Sequence, residues 1–452
     1  MAGRAGASSF RRGAMKLEKG GSKMTDKGGE LDFTDEQLRI RVHHVGAFGD
    51  FGPIERLKIF GDDIEWIGYD AQEELLSGTT APSKYYALVN KCIGSTNSLG
   101  SFKVMRSLGA SSLLPSAPSA EKYTWVFYQG RPLVRNGETL IWGEHTRVVK
   151  EVPVEINTLD HLVENGDIPQ IDFISTDAQG ADCDILLGAP KALSSSAVGV
   201  VCEVEFAELY EGQPLFCDTQ DLLRKHGFRF CDFLSRQDFN VAPYPVALQG
   251  KGFFTVAEAL FFKKVSELIG DPPTPSGANQ SVVRCLKLAA IALVFDQFDY
   301  ALGILRTLQE KHLLSLDKLA MASRTTNIKY IKLLRDLVRS ADEIEANSPP
   351  LYYELGRWNV GTDVPKKSSG NNKWKVCLYL IERLFLRAIR IITKGNAPFY
   401  YTPISKVLHA YGLVNVAKAH DKRLVMCLLG ITYPAKSRFS MYCGRLITLF
   451  YL

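Results

Sequence analysis

The run DFISTDAQGADCDILLGA, residues 172–189, constrains the fold most. It opens as a short apolar strand and reaches Asp177 where that strand should end. It then turns at Gly180 and continues as a helix. In an open α/β sheet, an acidic residue at the carboxyl end of a central strand can reach a ligand in the crevice outside the strand ends. The preceding chain predicts the rest of such a sheet. Residues 40–46, IRVHHVG, read as a strand entering a glycine turn, and Pro53 opens the helical stretch IERLKIF. Residues 64–69 read as a second strand ending at Asp70, AQEELL as a helix, and residues 85–89 as a third strand. Alternating strands and helices imply a parallel sheet with right-handed crossovers.

Between residues 90 and 150 the pattern breaks. Weak alternation over 100–106 and 124–128, with LGASSLLPSAPS between, predicts an inserted antiparallel hairpin and a long loop. Loops of that length are often lids or binding loops. Beyond 189 the reading is a strand at 198–202 followed by Glu203 and Glu205, a helix at 219–226, and strands at 228–234 and 255–262. DPPTPSGAN at 271–279 reads as a linker. Residues 282–308 carry an apolar face at helical spacing, interrupted near 296–300 as if into a helix pair. The expected organisation is a disordered tail at 1–30, an α/β domain at 31–270 with its insertion at 90–150, a linker at 271–280, and a mainly helical region at 281–452.

Hydrophobic residues make up 46% of the chain, which supports real cores. The longest apolar run, 288–295, falls far short of the ~20 residues that span a bilayer. The tail lacks the apolar segment of a secretory signal; its Arg-rich, acid-poor start could imitate a transit peptide, and the favoured reading is a loose tail or an upstream start with Met15 or Met24 as the true first residue. None of the nine cysteines forms a CxxC pair, which argues against a zinc site and for a reducing, cytoplasmic setting. Cys202, Cys217 and Cys231 are expected as small buried hydrophobes. The net charge of +5 hides an asymmetry: residues 1–23 and 365–452 together carry +18, so the middle carries −13.

The chemistry concentrates in three places. VGAFGDFG, residues 45–52, puts glycines directly after the first strand, where the backbone can approach a nucleotide-like ligand; the plainer reading is a tight turn. Asp70, 21 positions after Gly49, can accept hydrogen bonds from ribose hydroxyls. With Asp177, these residues in order on successive strands point to an adenosine-containing cofactor. Glu203 and Glu205 share one strand face by the period of two. They are candidate bases with Asp177 and His145, or else strand-end carboxylates holding loop amides. No metal ligand set is read.

The chain resembles the FkbM-type methyltransferases, a branch of the S-adenosylmethionine-dependent superfamily. The resemblance covers roughly residues 40–264. It rests on VGAFGDFGPIERL, IGYDAQEE, SFKVMRSLGASSLLP, TLDHLVENGDIPQIDFISTDAQGADCDILLGA, VVCEVEFAELYEGQPLF and DLLRKHGFRF. It implies an α/β, Rossmann-like seven-stranded methyltransferase sheet with an antiparallel last strand, an inserted β-hairpin and loop, and a mainly α-helical C-terminal domain after it. It implies S-adenosyl-L-methionine as cofactor, held by Gly46, Ala47, Phe48, Gly49 and Asp70. Asp177, Gln179 and Gly180 would stand beside the methionine end and the acceptor. Ser111 and Ser112 match a family segment in the insertion. Three positions depart from the family pattern: His44 replaces an acidic residue, Ser175 a lysine and Asp182 a glutamate. The implied activity is O-methylation of a small hydroxylated acceptor, in the direction of a sugar or glycan. The alternative is a non-catalytic binding or assembly protein on a methyltransferase-like fold.

Arg383, Arg387, Arg390 and Lys394 recur at helical spacing, beside an apolar face of Leu380, Leu384, Ala388 and Ile391. Residues 374–394 are therefore expected either to contact an anionic membrane surface or to pack on the protein as an ordinary amphipathic helix. No aromatic–basic interleaving of the kind that stacks bases is present, so no specific nucleic-acid partner is expected.

Overall fold

The structure is a computed structural model that describes residues 33–46, 51–71, 81–127, 131–132, 134–135, 138–241, 252–270 and 275–347. Ala47, Phe48, Gly49, the tail at 1–30 and the segment 374–394 lie outside the described residues, as does most of the helix expected after Asp70.

In chain order the first elements are α1 (Asp35–Leu38), β1 (Ile40–Val45), a 3₁₀ helix (Gly52–Asp63), β2 (Ile64–Asp70), β3 (Tyr86–Asn90), β4 (Cys92–Ile93) and β5 (Ser98–Met105). Then come β6 (Thr124–Phe127), β7 (Arg131–Pro132), β8 (Val134–Arg135), β9 (Glu138–Thr139), α2 (Trp142–His145), β10 (Val148–Asn157) and α3 (Leu159–Glu164). The second half holds β11 (Phe173–Thr176), α4 (Asp182–Leu187), α5 (Pro190–Ser195), β12 (Gly199–Glu205), α6 (Phe216–Lys225), β13 (Phe228–Phe233), β14 (Gln237–Asn240) and β15 (Phe253–Lys263). It closes with α7 (Val265–Ile269), α8 (Pro275–Val294), α9 (Phe298–Glu310), α10 (Leu316–Thr325) and α11 (Lys329–Asn347).

Among the described residues the main sheet runs β3-β2-β1-β11-β12-β15-β14-β6-β7, with β13 also pairing β15. From β3 to β12 the pairs are parallel; β15 is antiparallel to β12 and to β13. The chain fills the sheet outward from β1 in one direction, then returns to place β11 on the other side. That reversal opens a crevice at the carboxyl ends of β1 and β11. β12 is buried along its whole length, as a strand covered on both faces must be.

Alternation along β11 divides its side chains between two cores. Ile174 joins Ile185, Leu186, Leu193 and Leu223 on the face covered by α3 to α6. Phe173 points the other way and stacks on Phe295, just past α8, with ring centroids 6.1 Å apart. By length and composition residues 277–294 could cross a membrane. Here Val282, Leu286, Ala289 and Ile291 are buried, and Lys287 bonds Asp172. Asp63, at the end of the 3₁₀ helix, accepts from the backbone N–H groups of Lys329 and Tyr330 and so holds the start of α11.

Several local expectations need adjusting. The helical stretch after Pro53 takes the 3₁₀ form, and Gly61 breaks it at φ 55°. The insertion's antiparallel pairing joins β5 to β10 and runs on to Ile156, past residue 150. β6 instead extends the main sheet through β14. α8 starts at Pro275, within the stretch read as linker, because proline suits a first helical turn. The break between α8 and α9 falls at 295–297, close to where the pattern placed it. Cys202 is buried as expected, but Cys217 is exposed and Cys231 half-buried, because the face of α6 and of β13 that each occupies is open to solvent.

Candidate active site

The crevice is a cleft of about 190 Å³ at the carboxyl ends of the parallel strands. Gly46, Asp70 and Asp177 line it from the ends of β1, β2 and β11, with Ile93, Phe102, Leu108, Ser111 and Leu113 from the insertion. Three non-adjacent stretches of sequence are brought to one place by the sheet order. Backbone bonds fix them: the Gly46 N–H donates to the Tyr69 carbonyl at 3.0 Å and the Asp177 N–H to the Val45 carbonyl at 2.9 Å. Gly46 has φ 89°, and a Cβ there would stand 2.0 Å from the Asp177 carbonyl oxygen. No side chain fits that approach, so the glycine is required by geometry.

After Asp177 the chain turns sharply. Gln179 takes φ 54°, a left-handed conformation costly for a residue with a side chain. Its surroundings hold it there. Its Nε2 donates to Asp177 Oδ1 at 2.6 Å and to Glu203 Oε2 at 3.2 Å. The Tyr210 hydroxyl lies 3.0 Å from its Oε1, and the Ser112 hydroxyl donates to its backbone carbonyl at 2.7 Å. Ser112 therefore has a definable task, which the sequence alone did not give: it ties the insertion to the turn that aims Asp177. A Cβ on Gly180 would meet the Tyr210 ring at 2.7 Å, so the turn also demands its glycine.

Behind the turn the carboxylates converge. Asp182, Glu203 and Glu205 are all buried, and each offers an oxygen within 4.8 Å of the others. Such a set could hold a cation; without one, repulsion between like charges favours proton uptake. Burial, followed by Thr176 acting the other way and Asp177 adding to the rise, moves Asp182 up to about 7. Burial and then the charge of Asp177 raise Glu203 well above the carboxylate range; burial and then Asp182 do the same to Glu205. Burial and mutual repulsion thus favour proton uptake by the glutamates, and Glu203 meets the crevice through Gln179. Asp177 is half-buried and faces the cleft directly.

The two strand-body departures touch each other. His44 and Ser175 are register partners on β1 and β11, and His44 Nδ1 lies 3.1 Å from Ser175 Oγ. This histidine–serine hydrogen bond occupies a buried place where the resemblance leads one to expect an acid and a lysine. His145 ends α2 and is not among the residues lining the cleft.

Residues 90–230 match the model of the methyltransferase FkbM domain. No curated protein and no solved structure matches the chain. The matched FkbM segment contains β5, β10, β11 with Asp177, the Gln179 turn and β12 with both glutamates. Gly46 and Asp70 precede it, so the opposite wall of the cleft is joined to the FkbM segment by the tertiary structure alone.

Proposed function

We propose that the protein is an S-adenosylmethionine-dependent O-methyltransferase on the seven-stranded sheet formed by β3, β2, β1, β11, β12, β15 and β13. The supporting observation is the placement of Asp177: inside the FkbM segment, at the reversal of strand order, against Gly46 and across one cleft from Asp70. The donor set suits the cofactor. Asp70 can take ribose hydroxyls, the bare Gly46 backbone allows close approach, and Ile93, Phe102 and Leu113 offer apolar surface to a base. When bound, S-adenosylmethionine supplies a methyl group already activated on sulfur.

The chain's own residues then have alignment and proton removal to perform. Alignment can lower a barrier by up to ~7–11 kcal/mol. Asp177, fixed by Gln179, orients an acceptor hydroxyl and accepts its proton. Glu203, accepting from its amide, steadies Gln179 from behind. The acceptor class, a small hydroxylated molecule in the direction of a carbohydrate, rests on the FkbM match.

One observation favours the second reading, a binding or assembly protein: the His44–Ser175 pair replaces charged residues beside the cleft. Calorimetry separates the two. Saturable binding of S-adenosylmethionine by the full chain, weakened in Asp70→Ala, supports the enzyme; no heat at millimolar cofactor supports the binding protein. Peripheral membrane contact through 374–394 stays within the proposal and is tested by salt-sensitive binding of the full chain to anionic, against neutral, vesicles.

A further inference from the structure

A second cavity, of about 310 Å³, lies at the amino ends of the same strands, between β1, the start of β11 and α8. Arg41, Asp172, Ser196, Asn279, Arg284 and Lys287 are among the residues lining it, and Asp172 is the one carboxylate in that lining. Asp172 is engaged through one oxygen. Its Oδ2 accepts from the Arg41 backbone at 2.9 Å and from Lys287 Nζ at 2.7 Å, with both ion-pair side chains almost wholly buried. The Arg41 guanidinium pairs with Glu36 and Glu65. Arg284 is different. Its Nε and Nη2 are buried and have no hydrogen-bond partner, and the same holds for Oδ1 of Asn279.

A guanidinium edge buried without a partner is expensive, and arginine cannot shed the cost by losing its proton. Nε and Nη2 are neighbouring donors on one edge of the planar group. That edge is the fork that takes two oxygens of a carboxylate or phosphate together. The orphaned Asn279 oxygen needs a donor. A carboxylate has none, whereas hydrogen phosphate carries both acceptor oxygens and one P–OH. The cavity is also in the size range of small-ligand pockets rather than of a single ion.

We propose that this cavity is a binding site for the phosphate group of a small molecule, with the Arg284 edge taking two phosphate oxygens and Asn279 receiving the P–OH. The site is separate from the methyl-transfer cleft, being at the opposite ends of β1 and β11, and it stands whether or not the methyltransferase reading holds. Lys287 and Arg41 add positive field without leaving their own partners.

The test uses the full chain, with inorganic phosphate as probe and sulfate and chloride at matched ionic strength as controls. Calorimetry and thermal melts should show saturable, single-site phosphate binding, sulfate at least several-fold weaker because it has no proton to donate, and no response to chloride beyond ionic strength. Arg284→Met should weaken phosphate at least ten-fold while melting no lower than the parent without ligand. An undiminished phosphate response in Arg284→Met, or equal responses to phosphate and chloride, overturns the site. Should Arg284→Met not fold, Asn279→Leu gives a second reading. It should bring phosphate down to the level of sulfate and leave sulfate unchanged; a retained preference for phosphate overturns the assignment.

Discussion

The two ends of the parallel strands bury polar groups of opposite charge, and they meet the cost by different means. At the carboxyl ends, Asp177, Asp182, Glu203 and Glu205 crowd together, with Glu258 opposite Glu203 on β15. At the amino ends, Arg41, Arg284 and Lys287 surround Asp172. Carboxylates can relieve their excess by binding protons, because burial lifts them into an accessible range. A guanidinium has no such route. The acidic end is therefore a region whose state follows pH, and the basic end a region whose state follows the supply of an anion.

The largest expected effect is at Asp177. Asp177→Asn should keep the fold and hold cofactor affinity within a few-fold, yet cut methyl transfer by about 10²–10⁴-fold, the usual worth of a general base. Turnover equal to the parent on any acceptor found would move the proton-accepting role elsewhere in the acidic end.

Next comes pH. Asp182, Glu203 and Glu205 have folded values raised above their unfolded ones, so the folded state binds more protons. Their contribution is complete below about pH 4; that of Asp182 is lost as pH rises through about 7, and those of the glutamates are lost in the same direction. Melting temperature should fall between pH 5 and pH 8, by an amount on the order of a few kcal/mol in stability. Glu205→Gln should flatten that fall, whereas Arg284→Met should leave its slope alone. Parallel slopes for Glu205→Gln and parent would show that the carboxylates do not share protons, and the contrast between the two ends would collapse.

A smaller change is expected from Asp70→Ala. Loss of hydrogen bonds from a charged group should weaken cofactor binding by about 1–3 kcal/mol without unfolding the protein. Unchanged affinity in a folded variant would place the ribose elsewhere in the cleft. Smallest is Ser112→Ala, which removes one bond to the Gln179 carbonyl, worth about 0.5–1.5 kcal/mol. Turnover should drop several-fold with little change in cofactor affinity, and a loss confined to affinity would contradict a role in aiming Asp177.

Much of this molecule follows from its sequence alone. Apolar runs and period-two patterns marked β1, β2, β3, β11 and β12, because strand burial writes itself into neighbouring residues. Glycine turns and the acidic residues at strand ends placed Gly46, Asp70 and Asp177 at one edge. The interruption before α9 was legible because its periodicity fails over a few residues. What the tertiary structure decided is who meets whom. His44 and Ser175 are 131 positions apart and Lys287 and Asp172 115 apart, and nothing local in either member names the other. The period of two showed that Glu203 and Glu205 share a face, but not that Asp182 would face them from the start of α4. Ser112 could be seen only as a match until the insertion folded back over the Gln179 turn. Local patterns report which side of an element is buried. The order of strands in the sheet determines what covers that side, and it is set by the packing of the whole chain.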